Sequence, residues 1–184
     1  MLPVLTDGRV TLRDLRRSDV DAIAAACSDL EAQRWTTVPS PYTVDDARAW
    51  VEGQADELAA QRRHWALTRT GEDAWLGTVS LRLLDPVNAM HDVGFLTAPW
   101  ARRQGLTAAA LRLVCAHAFV VLGSQRVEWR AHVGNDASRA VASRAGFVEE
   151  GVQRSRVAAH GVRHDCWSAA LLPTDLGPSA EEYL

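Results

Sequence analysis

The spacing of apolar residues along this chain switches repeatedly between the period of a strand and that of a helix. Arg9 to Leu15 alternates, with Val10 and Leu12 on one side and Thr11 and Arg13 on the other, and reads as a first strand. Ser18-x-x-Asp21 has the form of a capping box, opening a helix that runs through Ile23 to about Cys27. Pro39 and Pro41 forbid a continuous helix from Trp35 to Tyr42, which is therefore loop. Thr43-x-x-Asp46 starts a second helix whose apolar face is Val44, Ala47, Trp50, Val51 and Leu58. Strands are expected at His64 to Thr70 and Trp75 to Leu84, joined by a hairpin turn at Gly71-Glu72-Asp73, and again at His91 to Leu96.

Gly105 to Leu122 is apolar almost all round, so this longest helix must lie against a sheet and under further cover. Arg126 to Val133 reads as a strand, and Ser138 to Ala145 as a short helix with Gly146 at its C-cap. Val148 to Val157 and His164 to Leu172 make two closing strands around a turn at Gly161, and Pro173 to Leu184 reads as a peripheral tail. With no repeat or linker, the expectation is one domain over 1–184, its core about 9–172. It is an α/β chain with a mixed, mostly antiparallel sheet, and only the strands flanking the long helix should be parallel.

Between the strand ending at Leu96 and that helix lies Thr97-Ala98-Pro99-Trp100-Ala101-Arg102-Arg103-Gln104-Gly105-Leu106-Thr107. The order strand, basic glycine turn, helix gathers free backbone N–H groups, the positive end of a helix dipole and two guanidinium groups. That combination suits a phosphate or pyrophosphate. Gly105 lets a bulky anion approach the backbone, and Arg102 and Arg103 can add charge-assisted hydrogen bonds. Taken alone, the same residues fit an ordinary basic helix start that happens to contain a glycine.

Composition narrows the setting. The chain has 184 residues, of which 47% are apolar and 23% charged, as in a globular domain with a full core. Arg112 and His117 interrupt the longest apolar run, which argues against a membrane-spanning helix, and the N-terminal residues lack a signal-peptide pattern. Three scattered cysteines, Cys27, Cys115 and Cys166, fit a reducing cytoplasm better than a disulfide frame. A net charge of −3 supplies no general attraction for nucleic acid.

Two further segments accompany the glycine turn: Asp92-Val93-Gly94-Phe95-Leu96 upstream, and Asn135-Asp136-Ala137-Ser138 with Ala145-Gly146-Phe147 downstream. Together these resemble the GCN5-related N-acetyltransferase (GNAT) superfamily, in the branch typified by ribosomal-protein N-terminal acetyltransferases, over roughly Arg9 to Leu172. The family's Arg/Gln-x-x-Gly-x-Gly/Ala is here Arg102-x-x-Gly105-x-Thr107. Thr107 departs from the usual small residue, and Arg103 stands where many relatives carry a further glycine.

The resemblance implies a six- to seven-stranded sheet, about four flanking helices, and central strands that splay apart. It implies acetyl-coenzyme A as cosubstrate, no metal, and direct acetyl transfer to a primary amine, either a protein N-terminus or a small molecule. Phe95, Leu96, Thr97, Arg102, Arg103, Gln104, Gly105, Leu106 and Thr107 would hold the coenzyme. Asn135 would bind its pantetheine arm, and Ser138 would protonate its thiolate. A backbone N–H near Leu96 would serve the oxyanion. Backbone groups around Phe95 to Thr97 should therefore be partly unpaired within the sheet.

Asp92 matches a position where relatives often carry Glu, and is the candidate to anchor the acceptor amine or take its proton, directly or through water. It could equally be a solvated strand-end acid. His91 is a weaker substitute, since strand alternation turns it away. Asn135, Asp136 and Ser138 are also good helix-start residues, so capping competes with the coenzyme roles. His117, within an apolar helix, reads as a core residue, and the six histidines show no paired metal spacing. Trp50, Trp65, Trp129 and Trp167 read as core, while Trp35, in the proline-rich loop, is a substrate-pocket candidate.

The expected partners are a peptide or small-molecule amine, without nucleic acid or membrane; a homodimer stays open because relatives often pair. The departures at Arg103, Thr107 and Asp92 leave a second reading open, a coenzyme-binding sensor without catalysis.

Overall fold

The computed structural model describes residues 1–176. In chain order the elements are β1 (Leu5–Thr6), β2 (Val10–Asp14), α1 (Val20–Cys27), α2 (Leu30–Trp35), α3 (Val44–Glu52), α4 (Gln54–Ala59) and β3 (Arg62–Arg69). There follow β4 (Gly77–Asp85), β5 (Met90–Thr97), α5 (Leu106–Val120), β6 (Arg126–His132), α6 (Asp136–Ala145), β7 (Val148–Ala159) and β8 (Val162–Leu171). The strands form a single sheet in the order β1-β2-β3-β4-β5-β6-β8-β7. Only β5 and β6 run parallel, as the crossover through α5 requires.

The sheet therefore has eight strands and the described residues hold six helices, more than the six to seven strands and four helices expected. The extra strand is the two-residue β1, too short to show alternation. The extra helices come from the break of the second expected helix at Gly53 into α3 and α4, and from α2, which occupies a stretch without a clear apolar period. Trp35 closes α2 rather than lying in the loop after it. The strand expected from Trp75 starts at Gly77, where a β-carbon would lie 2.4 Å from the Leu96 carbonyl oxygen.

The capping box read at Ser18-x-x-Asp21 is not formed. Asp19, one residue away, accepts the Arg16 backbone N–H (2.8 Å) and receives both guanidinium nitrogens of Arg13 at 2.8 and 2.9 Å. Both partners of that pair are buried, so the acid is spent joining β2 to the start of α1 rather than capping from the surface. Asp21 stays exposed. The tail beyond Leu176 lies outside the described residues.

Cross-strand neighbours share a face, which sorts the two layers. Trp65, Val79 and Phe95 lie opposite one another on β3, β4 and β5. The Trp65 ring meets His117 of α5 edge-on at 5.9 Å, so this face is the one under α5. Twelve α5 residues, from Leu106 to Phe119, are buried, as its apolar circumference requires. On the other face, His64 meets Trp50 of α3 at 5.4 Å, placing α1, α3 and α4 there. Trp65 and Trp129 are fully buried and Trp50 and Trp167 pack at the core margin.

Candidate active site

Pairing between β5 and β6 stops at Val93 opposite Trp129. Beyond that point Gly94 to Thr97 keep only β4 as neighbour, while Arg130 to His132 keep only β8. A parted pair of strands leaves N–H and C=O groups on facing edges without partners. Into this gap opens a cavity of about 800 Å³. Its walls come from both layers: the α5 and α6 N-termini on one face of the sheet, and α2 with the loop after it on the other.

On the α5 side the turn before the helix is built from two left-handed residues, Arg103 at φ 62° and Gly105 at φ 72°. Glycine adopts that region freely, whereas an arginine there costs about 1–2 kcal/mol. The alternating backbone turns successive N–H groups toward one concavity. The first-turn amides of α5, from Leu106, Thr107 and Ala108, continue it, since no carbonyl precedes them in the helix. A β-carbon at Gly105 would lie 3.5 Å from the Arg9 guanidinium, an ordinary contact, so the left-handed backbone and not lack of space calls for glycine here. Thr107 is buried and bonds Thr97 through their hydroxyls at 2.6 Å, tying α5 to the end of β5.

Phe95, Leu96, Thr97, Arg102, Arg103, Gly105, Leu106, Thr107, Asn135 and Ser138 all line the cavity, and so does Trp35. Arg102 also pairs with Asp29, which caps α2 by accepting the Ala32 N–H at 3.2 Å. The guanidinium holds the Asp29 carboxyl below its usual range. The glycine turn and the α2 wall are thereby joined.

Gln104 and Asp92 stand elsewhere. The Gln104 amide is held by Arg69 and donates to the Trp100 carbonyl at 3.1 Å, so its side chain braces the turn from behind. Asp92 lies on the face opposite α5, where Arg82 bonds both of its oxygens and Arg130 reaches Oδ2 at 3.0 Å. Three hydrogen bonds from two guanidinium groups occupy most of the lone pairs of this carboxylate. Strand alternation predicts the face but cannot reveal arginines supplied by β4 and β6. Asp92 thus lies outside the cavity lining, paired with Arg130, which does line it. His91 is turned away as alternation implies, its Nδ1 lying 3.2 Å from the Ser124 hydroxyl.

Asn135 and Ser138 are held in different ways. Asn135 is the N-cap of α6, its side chain accepting the Ser138 N–H at 3.1 Å. The Ser138 hydroxyl is not spent on the cap; it accepts the Trp129 indole N–H at 3.2 Å, which leaves its own proton to donate.

On the α2 side sit residues that sequence reasoning did not single out: Glu31, Thr36, Arg130, His132 and Cys166. The Trp35 indole donates to Glu31 at 2.9 Å and meets the His132 ring edge-on at 6.4 Å. His160, in the β7–β8 turn, lies within hydrogen-bond distance of the Gln33 and Thr36 carbonyls, docking that turn on α2. The available signal for His132 was its place at a strand end three residues before Asn135.

The acetyltransferase (GNAT) domain family matches residues 9–148. This chain belongs to that family. As an acetyltransferase it is 25% identical to the uncharacterized N-acetyltransferase YoaA of Bacillus subtilis over 166 residues, covering 90% of this chain and 94% of YoaA. It is 40% identical over 96 residues to YdaF of the same bacterium, named provisionally as a ribosomal N-acetyltransferase, covering 52% of each. Mycobacterium smegmatis RimJ, solved in complex with CoA-disulfide, shares the fold at a TM-score of 0.82 and 21% identity, over 100% of this chain and 91% of RimJ.

An enzyme of this family draws its acetyl group from acetyl-coenzyme A. The site fits that cosubstrate by its own geometry: an amide cradle flanked by two arginines for the diphosphate, and a parted strand edge for an extended amide-bearing arm.

Proposed function

We propose that this acetyltransferase transfers acetyl to the α-amine of a protein or peptide, with the amine entering from the α2 side and the coenzyme from the α5–α6 side. The observation that carries the reading is the cavity itself, which passes through the sheet where β5 and β6 part and so joins the two entrances. The stretch of likeness to YdaF supports a peptide chain as acceptor, and ribosomal proteins are the class we favour.

In this reading Arg102, Arg103 and the amides from Gly105 to Ala108 hold the diphosphate. Phe95 to Thr97 and the Asn135 side-chain amide hold the pantetheine arm. The coenzyme supplies its acetyl group as a thioester. A backbone N–H at the unpaired edge near Leu96 stabilises the oxyanion. The Ser138 hydroxyl, aligned by Trp129, gives the departing sulfur its proton. Asp92 keeps Arg130 in place and takes no proton.

The test is release of free thiol from acetyl-coenzyme A over a panel of peptides with free α-amines, N-terminally blocked peptides and small amines. Turnover with free α-amines and none with blocked peptides is expected. Coenzyme binding without thiol release for any amine would instead support a sensor, the reading that Arg103, Thr107 and Asp92 motivated.

A further inference from the structure

The acceptor amine reaches an enzyme at neutral pH mainly as an ammonium ion, and must lose a proton before it can attack a carbonyl. With Asp92 committed to Arg82 and Arg130, the proton needs another destination. We propose that His132 takes it, through the ring nitrogen that faces the cavity from the α2 side. This rests on the acetyltransferase reading above and assigns a catalytic residue to it.

His132 ends β6, at the point where the strand has left β5 and is held only by β8. Its face of the sheet is the one that carries Asp92 and Arg130, opposite α5, and so the one reached from the acceptor entrance. The residue is 6% exposed and lines the cavity. It stacks on His164 at 4.4 Å with 10° between planes and meets Trp35 edge-on, so its orientation is fixed by packing. Nδ1 is fully enclosed and has no hydrogen-bond partner among the described residues. Leaving a buried ring nitrogen unpaired costs about 1–3 kcal/mol, so a partner is not what holds this ring. Nε2 is the atom left to meet an acceptor.

The groups that share its surroundings favour a neutral ring. Burial first, then the neighbouring His164 and His160, hold its pKa below the usual histidine range. Arg130 lies two residues back on the same face, Glu31 faces the cavity from α2, and Cys166 pairs with His132 across β8. A neutral imidazole carries a free lone pair at pH 7, which a protonated one lacks.

The protons balance. The acceptor nitrogen arrives with three, gives the first to His132 Nε2, and bonds to the acetyl carbon. It gives up a second as the carbon–sulfur bond breaks; this proton reaches sulfur by way of the Ser138 hydroxyl, which donates one and receives one. His132 then releases its proton to solvent. The net products are the N-acetyl amide, a free thiol and one proton.

The experiment compares wild type, His132→Gln and His132→Ala in the thiol-release assay with a free α-amine peptide, from pH 5.5 to 9.5, alongside calorimetric binding of acetyl-coenzyme A. Both variants should bind the coenzyme as wild type does. Their kcat/KM should fall about 10²-fold at pH 7. The deficit should shrink as rising pH delivers neutral amine from solution, and added imidazole should partly restore His132→Ala. A kcat/KM within threefold of wild type across the range overturns the role of His132 and leaves the acetyltransferase reading intact. Failure of wild type to bind acetyl-coenzyme A or to release thiol overturns both. Should neither variant fold, ¹⁵N spectra of histidine-labelled wild type at pH 7 decide the matter, because a doubly protonated His132 ring contradicts the proposal.

Discussion

The Trp129 indole N–H donates to the Ser138 hydroxyl at 3.2 Å, across the floor of the cavity from β6 to α6. A hydroxyl that accepts from a fixed donor has its own proton aimed elsewhere, and here the open direction is the cavity. The same contact uses the indole of one of the most buried side chains among the described residues, so a core residue sets the direction of a cavity-lining hydroxyl.

Ser138→Ala should lower kcat about 10²-fold while leaving acetyl-coenzyme A affinity within a few-fold of wild type. The melting temperature should fall only slightly, because Asn135 and not Ser138 supplies the cap of α6, and water in the cavity can replace the hydroxyl on the Trp129 indole. Asn135→Ala should do the converse to stability, costing about 1 kcal/mol of a lost cap. Steady-state kinetics with thermal melts of the two variants check this. A large stability loss in Ser138→Ala would return that residue to a structural role.

Arg103 and Gly105 share a left-handed backbone but should respond in opposite ways. Arg103→Gly relieves the strain of an arginine at φ 62°, and should hold or raise the melting temperature. It should also weaken coenzyme binding, by about tenfold if one charge-assisted contact is lost. Gly105→Glu should weaken binding more than tenfold, because a side chain at φ 72° strains the turn that presents the amides and adds negative charge beside it. Calorimetry with acetyl-coenzyme A reads both, and intact affinity in Gly105→Glu would remove the cradle from the account.

Asp92→Asn separates a positioning residue from a base. Losing the charge frees Arg82 and Arg130, both partly exposed, and should cost about 1–2 kcal/mol of stability. The acidic limb of the pH–rate profile should keep its midpoint, since Asp92 accepts no proton in turnover. A limb that disappears in Asp92→Asn would make it the base after all.

Four imidazoles, those of His64, His91, His117 and His132, are held below the usual histidine range chiefly by burial. The unfolded chain takes up protons near pH 6.5, whereas these folded sites do so only at lower pH. Stability is therefore complete above about 6.5 and is lost as pH falls below it, because the unfolded state then binds more protons. Melting temperatures should decline between pH 7 and 5, and less steeply in His117→Gln, measured against wild type in the same buffers. A flat profile would contradict the burial of these rings.

Much of the architecture could be read from residue order because local signals sufficed. Val10 and Leu12, the apolar circumference of α5, and Gly146 after α6 each speak through their own neighbours in sequence. The glycine turn before α5 was legible for the same reason: its glycine, its arginines and its helix are contiguous. The site failed to be legible where partners come from distant strands. Asp92 is removed from the cavity by arginines 10 residues before it and 38 after it, and His132 gains its setting from Trp35 and His164. Ser18-x-x-Asp21 misled because a capping pattern cannot show that the neighbouring Asp19 is claimed by a buried Arg13.

The most direct measurement of the central claim is a crystal structure grown with acetyl-coenzyme A. The account predicts the diphosphate on the amides around Gly105, flanked by Arg102 and Arg103, with the pantetheine arm alongside Phe95 to Thr97 and the thioester between Ser138 and His132. Coenzyme density outside the gap between β5 and β6, or those strands paired through to Thr97, would contradict it.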